Sequence, residues 1–264
     1  MNKIENKMLD LLLKLKDRTS LVGVKAEFEA EGTRIEELYR LIDIARKADV
    51  KVALKVGGCE AVKDLMEAKQ IGVDVLIAPM IESTYALSKY IHSIERVFHD
   101  SEKNACQFYF NVETINAYNI VAELVAIAKS SILDGIVFGR VDFTGSMGLG
   151  RENIHDDNIT KMVNEVGSLC KKNELDFVVG GAISSDSIST LHNIDSNFLT
   201  KFETRKIIFH RDAIASDNIE EALIDAVHFE MLWLTNKRDY YNNITLEDAA
   251  RIDMLNQRWK ILKN

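Results

Sequence analysis

Apolar positions along the chain change period again and again, from about two residues to about three and a half. Runs with the short period or a continuous apolar core are predicted strands, and runs with the longer period are predicted helices. LVGVKAEFE (21–29) reads as a strand and RIEELYRLIDIARKA (34–48) as a helix. The pattern repeats as KVALKV (51–56) with EAVKDLMEAKQIG, VDVLIAPM (73–80) with STYALSKYIHSIERVF, and QFYFNVE (107–113) with NAYNIVAELVAIAKS. It continues as GIVFGRV (135–141) with DNITKMVNEVGSLCKKN, and DFVVGG (176–181) with SSDSISTLHNI. FLTKFETRKIIF (198–209) is a long strand candidate, and two helices, 216–242 and 245–262, follow it.

Strands alternating with helices imply right-handed βαβ units around a parallel sheet. The predicted fold class is therefore α/β, a TIM (β/α)8-type barrel with additional C-terminal helices. An open doubly wound sheet is the other architecture this order allows. Seven strands are marked. An eighth is not, although the run 198–209 is long enough to bend into two. No Pro/Gly-rich linker divides the chain, and the one proline, Pro79, ends a strand. The expectation is a single domain over 1–264, with an N-terminal amphipathic helix at 1–18 and a helical extension at 213–264.

Strand side chains alternate faces. Lys25, Glu27 and Glu29 share one face, Lys55 shares one with Ala53, and Tyr109, Asn111 and Glu113 share another. Phe138, Arg140 and Asp142 form a fourth set, and Lys201, Glu203 and Arg205 a fifth. Helices must cover the outside of a barrel, so the charged faces are expected to point at its axis. Opposite signs there roughly balance, as burial demands. Charges at C-terminal strand ends carry more functional weight, because parallel barrels place their active sites there. Glu113, Arg140 and Asp142 are predicted at such ends. Glu113 and Asp142 are a suitable carboxylate pair for Mg²⁺ or Mn²⁺, with water completing the shell; Asp142 can also simply cap a turn. The glycines from Gly145 to Gly150 can bring backbone N–H groups close to an anion.

Composition narrows the function classes. Hydrophobic residues make up 47% of the chain, enough for a sizeable core, and the net charge is −8. That balance argues against a nucleic-acid partner or an anionic membrane surface. Cys59, Cys106 and Cys170 lie far apart with no CxxC or Cys/His cluster, and so read as free thiols. The N-terminal apolar stretch is too short and too charged for a signal peptide or membrane span. A cytoplasmic protein is expected.

Three stretches carry a resemblance. GVDVLIAPMIESTYAL, FNVETINAYNI and LDGIVFGRVDFTGSMG, in that order and spacing, resemble the HpcH/HpaI aldolase and citrate lyase β-subunit family of the pyruvate/phosphoenolpyruvate TIM-barrel superfamily. The likeness runs from about residue 22 to 185. It implies that Glu113 and Asp142 bind the divalent metal, and that the Gly145–Ser146 backbone receives the carboxylate of a pyruvate-like 2-oxo acid. It also implies that Arg140 lies near the anionic substrate or braces the site, and that Glu82 is close to it. Arg205 is a further substrate-binding candidate. Two departures stand out. Lys55 occupies the place of the family's usual arginine. The family's Glu-His pair is replaced by Glu29-Ala30-Glu31, so that Glu29 or Glu31 becomes the candidate base.

The implied activity is that of a metal-dependent carbon–carbon lyase or aldolase, acting on a 2-oxo acid enolate and a carbonyl acceptor. A citrate-synthase-like or acyl-CoA lyase reaction at the same site, and a non-catalytic metabolite-binding barrel, are the alternatives. The apolar cluster Phe229, Met231, Leu232, Trp233 and Leu234 suggests a homo-oligomer, or else packing on the chain's own barrel.

Overall fold

The computed structural model describes residues 1–263. The first half contains α1 (Lys3–Arg18), β1 (Leu21–Glu27), α2 (Ile35–Ala48), β2 (Lys51–Lys55), α3 (Val62–Ile71), β3 (Val75–Ala78), α4 (Thr84–Val97), α5 (Asp100–Lys103), β4 (Gln107–Val112), α6 (Ile115–Asn119) and α7 (Val121–Lys129). The second contains β5 (Gly135–Gly139), α8 (Arg140–Ser146), α9 (Asp157–Lys172), β6 (Asp176–Gly180), α10 (Ile188–Asn193), β7 (Lys201–Glu203), β8 (Ile207–His210) and α11 (Ile219–Lys263). Every predicted strand forms, and the eight strands close into a barrel in sequence order.

The closure departs from an all-parallel barrel. The long candidate at 198–209 is a hairpin, so β8 runs antiparallel to both β7 and β1. No helix separates β7 from β8. The turn is fastened by Thr204, whose N–H donates to the Ile207 carbonyl at 2.9 Å while its hydroxyl accepts from the Ile207 N–H at 3.0 Å. Because β8 returns to the N-terminal end of the barrel, α11 starts there, packs along α1, and reaches the opposite mouth. The two helices expected in the extension are one helix of 45 residues.

The interior is layered. At the bottom, Lys201 Nζ lies 2.6 Å from both Asp176 and the Tyr109 hydroxyl, which donates to Asp176. Val75, Ile77, Val137, Val178 and Ile208 form an apolar middle. The upper layer holds Lys25, Glu27, Lys55, Asn111 and Glu203, with Glu113 immediately after β4; all six are buried. Outside, the larger core lies between strands and helices. Phe138 belongs to it, so the even-numbered side of β5 faces the helices and not the axis.

Candidate active site

The upper layer opens into a cavity of about 670 Å³ at the C-terminal ends of the seven parallel strands. Lys25, Glu27, Glu29, Glu31, Lys55, Asn111, Glu113, Asp142, Glu203 and Arg205 line it, so the structure gathers most of the predicted charged positions in one place.

Glu113 is the best-held of these. Its Oε1 accepts from the Met80 N–H at 2.9 Å. Its Oε2 accepts from Asn111 Nδ2 at 2.5 Å and from Lys55 Nζ at 3.2 Å. Met80 adopts φ 51° to present that N–H, a conformation unusual for a non-glycine residue. Gly139 lends the space, since a Cβ there would come within 2.9 Å of the Glu113 Cβ.

Lys55 also pairs with Glu29, 2.9 Å away. Burial works against its charge, but Glu113, Glu29 and Glu27 outweigh it and raise its pKa above the ordinary value. A lysine held protonated is an electrostatic partner rather than an amine nucleophile. Beside it, Lys25 bridges Glu203 at 2.5 Å and Glu27 at 3.3 Å. Arg205, half-exposed on the lip, pairs with Glu31 at 3.0 Å and Glu27 at 3.6 Å. Glu31 also pairs with the buried Lys206.

Other predicted residues lie elsewhere. Arg140 and Asp142 are not strand residues. The strand stops at Gly139 and α8 begins at once, so the two side chains point in different directions. Arg140 is buried and absent from the cavity wall. It donates to the carbonyls of Gly180 at 3.2 Å and Gly181 at 2.8 Å, which fastens the loop after β6. Burial lowers its pKa to about 10, against the opposing pull of Asp186. Asp142 is exposed and lines the cavity.

Gly145 and Ser146 do not line the cavity. They sit in the last turn of α8, where backbone N–H groups serve the helix, and the Ser146 hydroxyl accepts from the Ile115 N–H at 2.8 Å and donates to the Phe143 carbonyl at 2.7 Å. The loop lining the wall is Gly180–Ser184 instead. Glu82 is exposed, outside the cavity, and among the described residues accepts a single long contact, 3.4 Å from Asn116.

Asn111 was not singled out as a site residue, although it shares the inward face of β4 with Tyr109. Its Oδ1 is buried with no hydrogen-bond partner among the described residues. The oxygens that line this part of the cavity are those of Glu113, already bonded by Met80, Asn111 and Lys55, of the solvent-facing Asp142 and of this amide, all hard donors of the kind suited to Mg²⁺ or Mn²⁺. Among the described residues no three His, Cys, Asp or Glu side chains gather as a ligand cluster, so water or substrate must complete such a shell.

Among the described residues no helix is long and apolar enough to cross a membrane. No curated protein sequence matches the chain. Solved structures do, through their fold. An HpcH/HpaI aldolase/citrate lyase family protein from Burkholderia cenocepacia J2315 superposes with TM-score 0.60 at 12% identity, covering 76% of this chain and 83% of that one. An HpcH/HpaI aldolase from Desulfitobacterium hafniense DCB-2 gives 0.58 at 13%, covering 72% and 88%. The citrate synthase SbnG gives 0.57 at 15%, covering 88% and 89%. The family model of the HpcH/HpaI aldolase/citrate lyase proteins matches residues 22–190, well over half the sequence. The chain belongs to the HpcH/HpaI aldolase/citrate lyase family, and lyase/aldolase-type chemistry is the class of activity that this membership carries.

Proposed function

We propose that this protein makes or cleaves a carbon–carbon bond through the enolate of a pyruvate-type 2-oxo acid, with a carbonyl compound as its second substrate. The observation that carries the reading is the buried ammonium of Lys55, held between Glu113 and Glu29 in the cavity at the strand ends. An enolate is an anion, and a fixed positive charge held beside it stabilises it as it forms. The cavity falls within the ordinary size range for small-molecule sites.

Glu113 and Asp142 would hold a divalent ion, with Asn111 Oδ1 beside them. Such an ion, when bound, supplies Lewis-acid stabilisation of the substrate's oxygen. Glu29 is the better placed of the two candidate bases, because it has one cationic partner, Lys55, where Glu31 has two, Arg205 and Lys206. In the cleavage direction Glu29 takes the hydroxyl proton. The bond's electron pair passes to the 2-oxo fragment as enolate, and the other fragment leaves as a carbonyl compound. The proton then returns to the enolate carbon.

Methyl-proton exchange of pyruvate in D₂O, followed by NMR with added Mg²⁺ or Mn²⁺, tests this. Exchange in the native protein, lost in Glu113→Gln and Lys55→Met, supports the enolate site. A folded protein that binds metal but exchanges no pyruvate has a different substrate. One that neither binds metal nor exchanges is a metabolite-binding barrel, and the proposal fails.

A further inference from the structure

The second half of α11 leaves the barrel. Every described side chain from Asn242 to Lys263 is exposed, and past Tyr241 the helix makes no described hydrogen bond or ion pair with the rest of the chain. Most helical stability in proteins comes from tertiary packing of an amphipathic face, and this segment buries none against its own chain. Its exposed residues are nonetheless ordered. Ile224, Val227, Met231 and Leu234 repeat at alternating spacings of three and four, and so do Ile252, Leu255, Trp259 and Leu262. Both sets fall in one heptad register, with Arg238, Tyr241, Thr245 and Asp248 completing the seam between them. All eight apolar residues are strongly exposed, from 45% at Leu255 to 74% at Leu262. The face of α11 that packs on its own barrel is a different one, carrying Ala222, Leu223, Ala226, Phe229 and Trp233; the two faces adjoin at Tyr241, whose hydroxyl bonds Glu36 and Glu37 of α2 and whose ring lies under Arg34.

The seam is self-complementary when reversed about Asn243. Ile224 then meets Leu262, Val227 meets Trp259, Met231 meets Leu255, and Leu234 meets Ile252. The polar centre also matches: Arg238 meets Asp248, and Tyr241 meets Thr245. We infer that α11 pairs with the α11 of a second copy as an antiparallel two-helix coiled coil centred on Asn243. The Arg238–Asp248 pair fixes the register and is made twice by the two-fold symmetry. Apolar residues cluster at both ends of the seam and charge at its centre, so a parallel pairing would oppose Arg238 to Arg238 and Asp248 to Asp248.

The pairing reaches the candidate active site. Val227 and Leu234 belong both to the seam and to the wall of the mouth cavity. A shallow groove on the outer face of α11, lined by Val227, Glu230, Met231, Leu234, Thr235 and Arg238, is where the second copy's terminal segment lies. Glu230 makes no ion pair within 4 Å among the described residues; it flanks the seam opposite Arg258 of the second copy. The other cationic flank, Lys237 against Arg251, is relieved by Glu37, 3.1 Å from Lys237. The second copy thus contributes part of the cavity's rim. This inference concerns assembly and stands apart from the proposed reaction.

Sedimentation equilibrium on the full chain, with cysteine cross-linking, tests it. The expected mass is twice that of one chain. Leu234→Cys/Ile252→Cys should give a disulfide-linked dimer on oxidation, and Leu234→Cys/Leu262→Cys should not. Those paired positions are about 27 Å apart along one helix, so the bond cannot form within a chain. Trp259→Asp should halve the mass without changing the fold, since Trp259 is exposed and lies beside Lys263 of its own helix. Arg238→Asp should weaken the dimer, and adding Asp248→Arg should restore it. A monomer at every concentration overturns the inference. So does an oligomer that resists Trp259→Asp or fails to cross-link at 234 and 252.

Discussion

Lys55, at the end of β2, reaches past β3 to place its ammonium 3.2 Å from the Glu113 carboxylate after β4. Both residues are buried, and each leans on the other more than on solvent. Removing Lys55 leaves both Glu113 and Glu29 without their cation, a loss of about 3–5 kcal/mol. Lys55→Met should therefore lower unfolding stability by that order in urea titration. Lys55→Met with Glu113→Gln should recover part of it, because Glu29 alone is then left without its cation. A double variant that loses the sum of both single losses would show that the pair is not an energetic unit.

The charged upper layer also sets the pH range of stability. Burial opposes the charge on Lys25 and on Lys55, but Glu203 and Glu27 for the first, and Glu113 and Glu29 for the second, raise both pKa values above 10.5. The folded state therefore holds these protons more tightly than the unfolded chain. Their contribution is complete below pH 10.5 and is lost as pH rises through the folded values. Glu27 is the mirror case. Burial raises its pKa, but Lys25, Arg205 and Lys55 bring it below 4.5. Its contribution is present above pH 4.5 and is lost as pH falls through the folded value. Denaturation midpoints should form a plateau between about pH 5 and 10 and fall on both sides. Lys25→Met should flatten the alkaline limb, and an unchanged limb would contradict this assignment.

The inward face of β4 was legible because two-residue alternation carries Tyr109 to Asn111 to Glu113 without interruption. Arg140 and Asp142 were misplaced by the same rule. Alternation ends at Gly139, where the backbone turns directly into α8 with no side-chain cap to mark the change. The reversal of β8 was hidden for a related reason. Glu203-Thr204-Arg205-Lys206 contains none of the glycine, proline, asparagine or aspartate that usually announce a hairpin. Roles that depend on backbone partners, such as Arg140 on two carbonyls and Met80 N–H on Glu113, leave no trace in side-chain periodicity.

Arg140 supports the cavity from behind, and its loss should show in binding before chemistry. Lysine lacks the fork that spans the Gly180 and Gly181 carbonyls. Gly181 has φ 88°, and a Cβ there would come within 2.7 Å of the Arg140 and Val141 nitrogens. Gly181→Ala should cost about 1–3 kcal/mol from backbone strain. Both Arg140→Lys and Gly181→Ala should loosen the loop 180–184 on the cavity wall and raise KM more than they lower kcat. Equal losses in kcat and kcat/KM would instead place Arg140 in the reaction itself.

Closure of the barrel rests on a hydroxyl. The Ile207 N–H is buried and donates to Thr204 Oγ1, so the β7–β8 turn depends on a side chain where most hairpins use backbone geometry. Thr204→Val keeps the shape, removes the acceptor, and leaves a buried N–H unpaired at a cost of about 1–3 kcal/mol. Because β8 joins β7 to β1, the loss should not stay at the turn. The amides of Ile208 and Phe209 should exchange faster with solvent, along with those of β1 facing them, while β3 to β5 remain protected. Hydrogen exchange read by mass spectrometry distinguishes this from uniform loosening. If every strand exchanges faster by the same factor, the barrel unfolds as one unit and the Thr204 turn is no weaker than the rest.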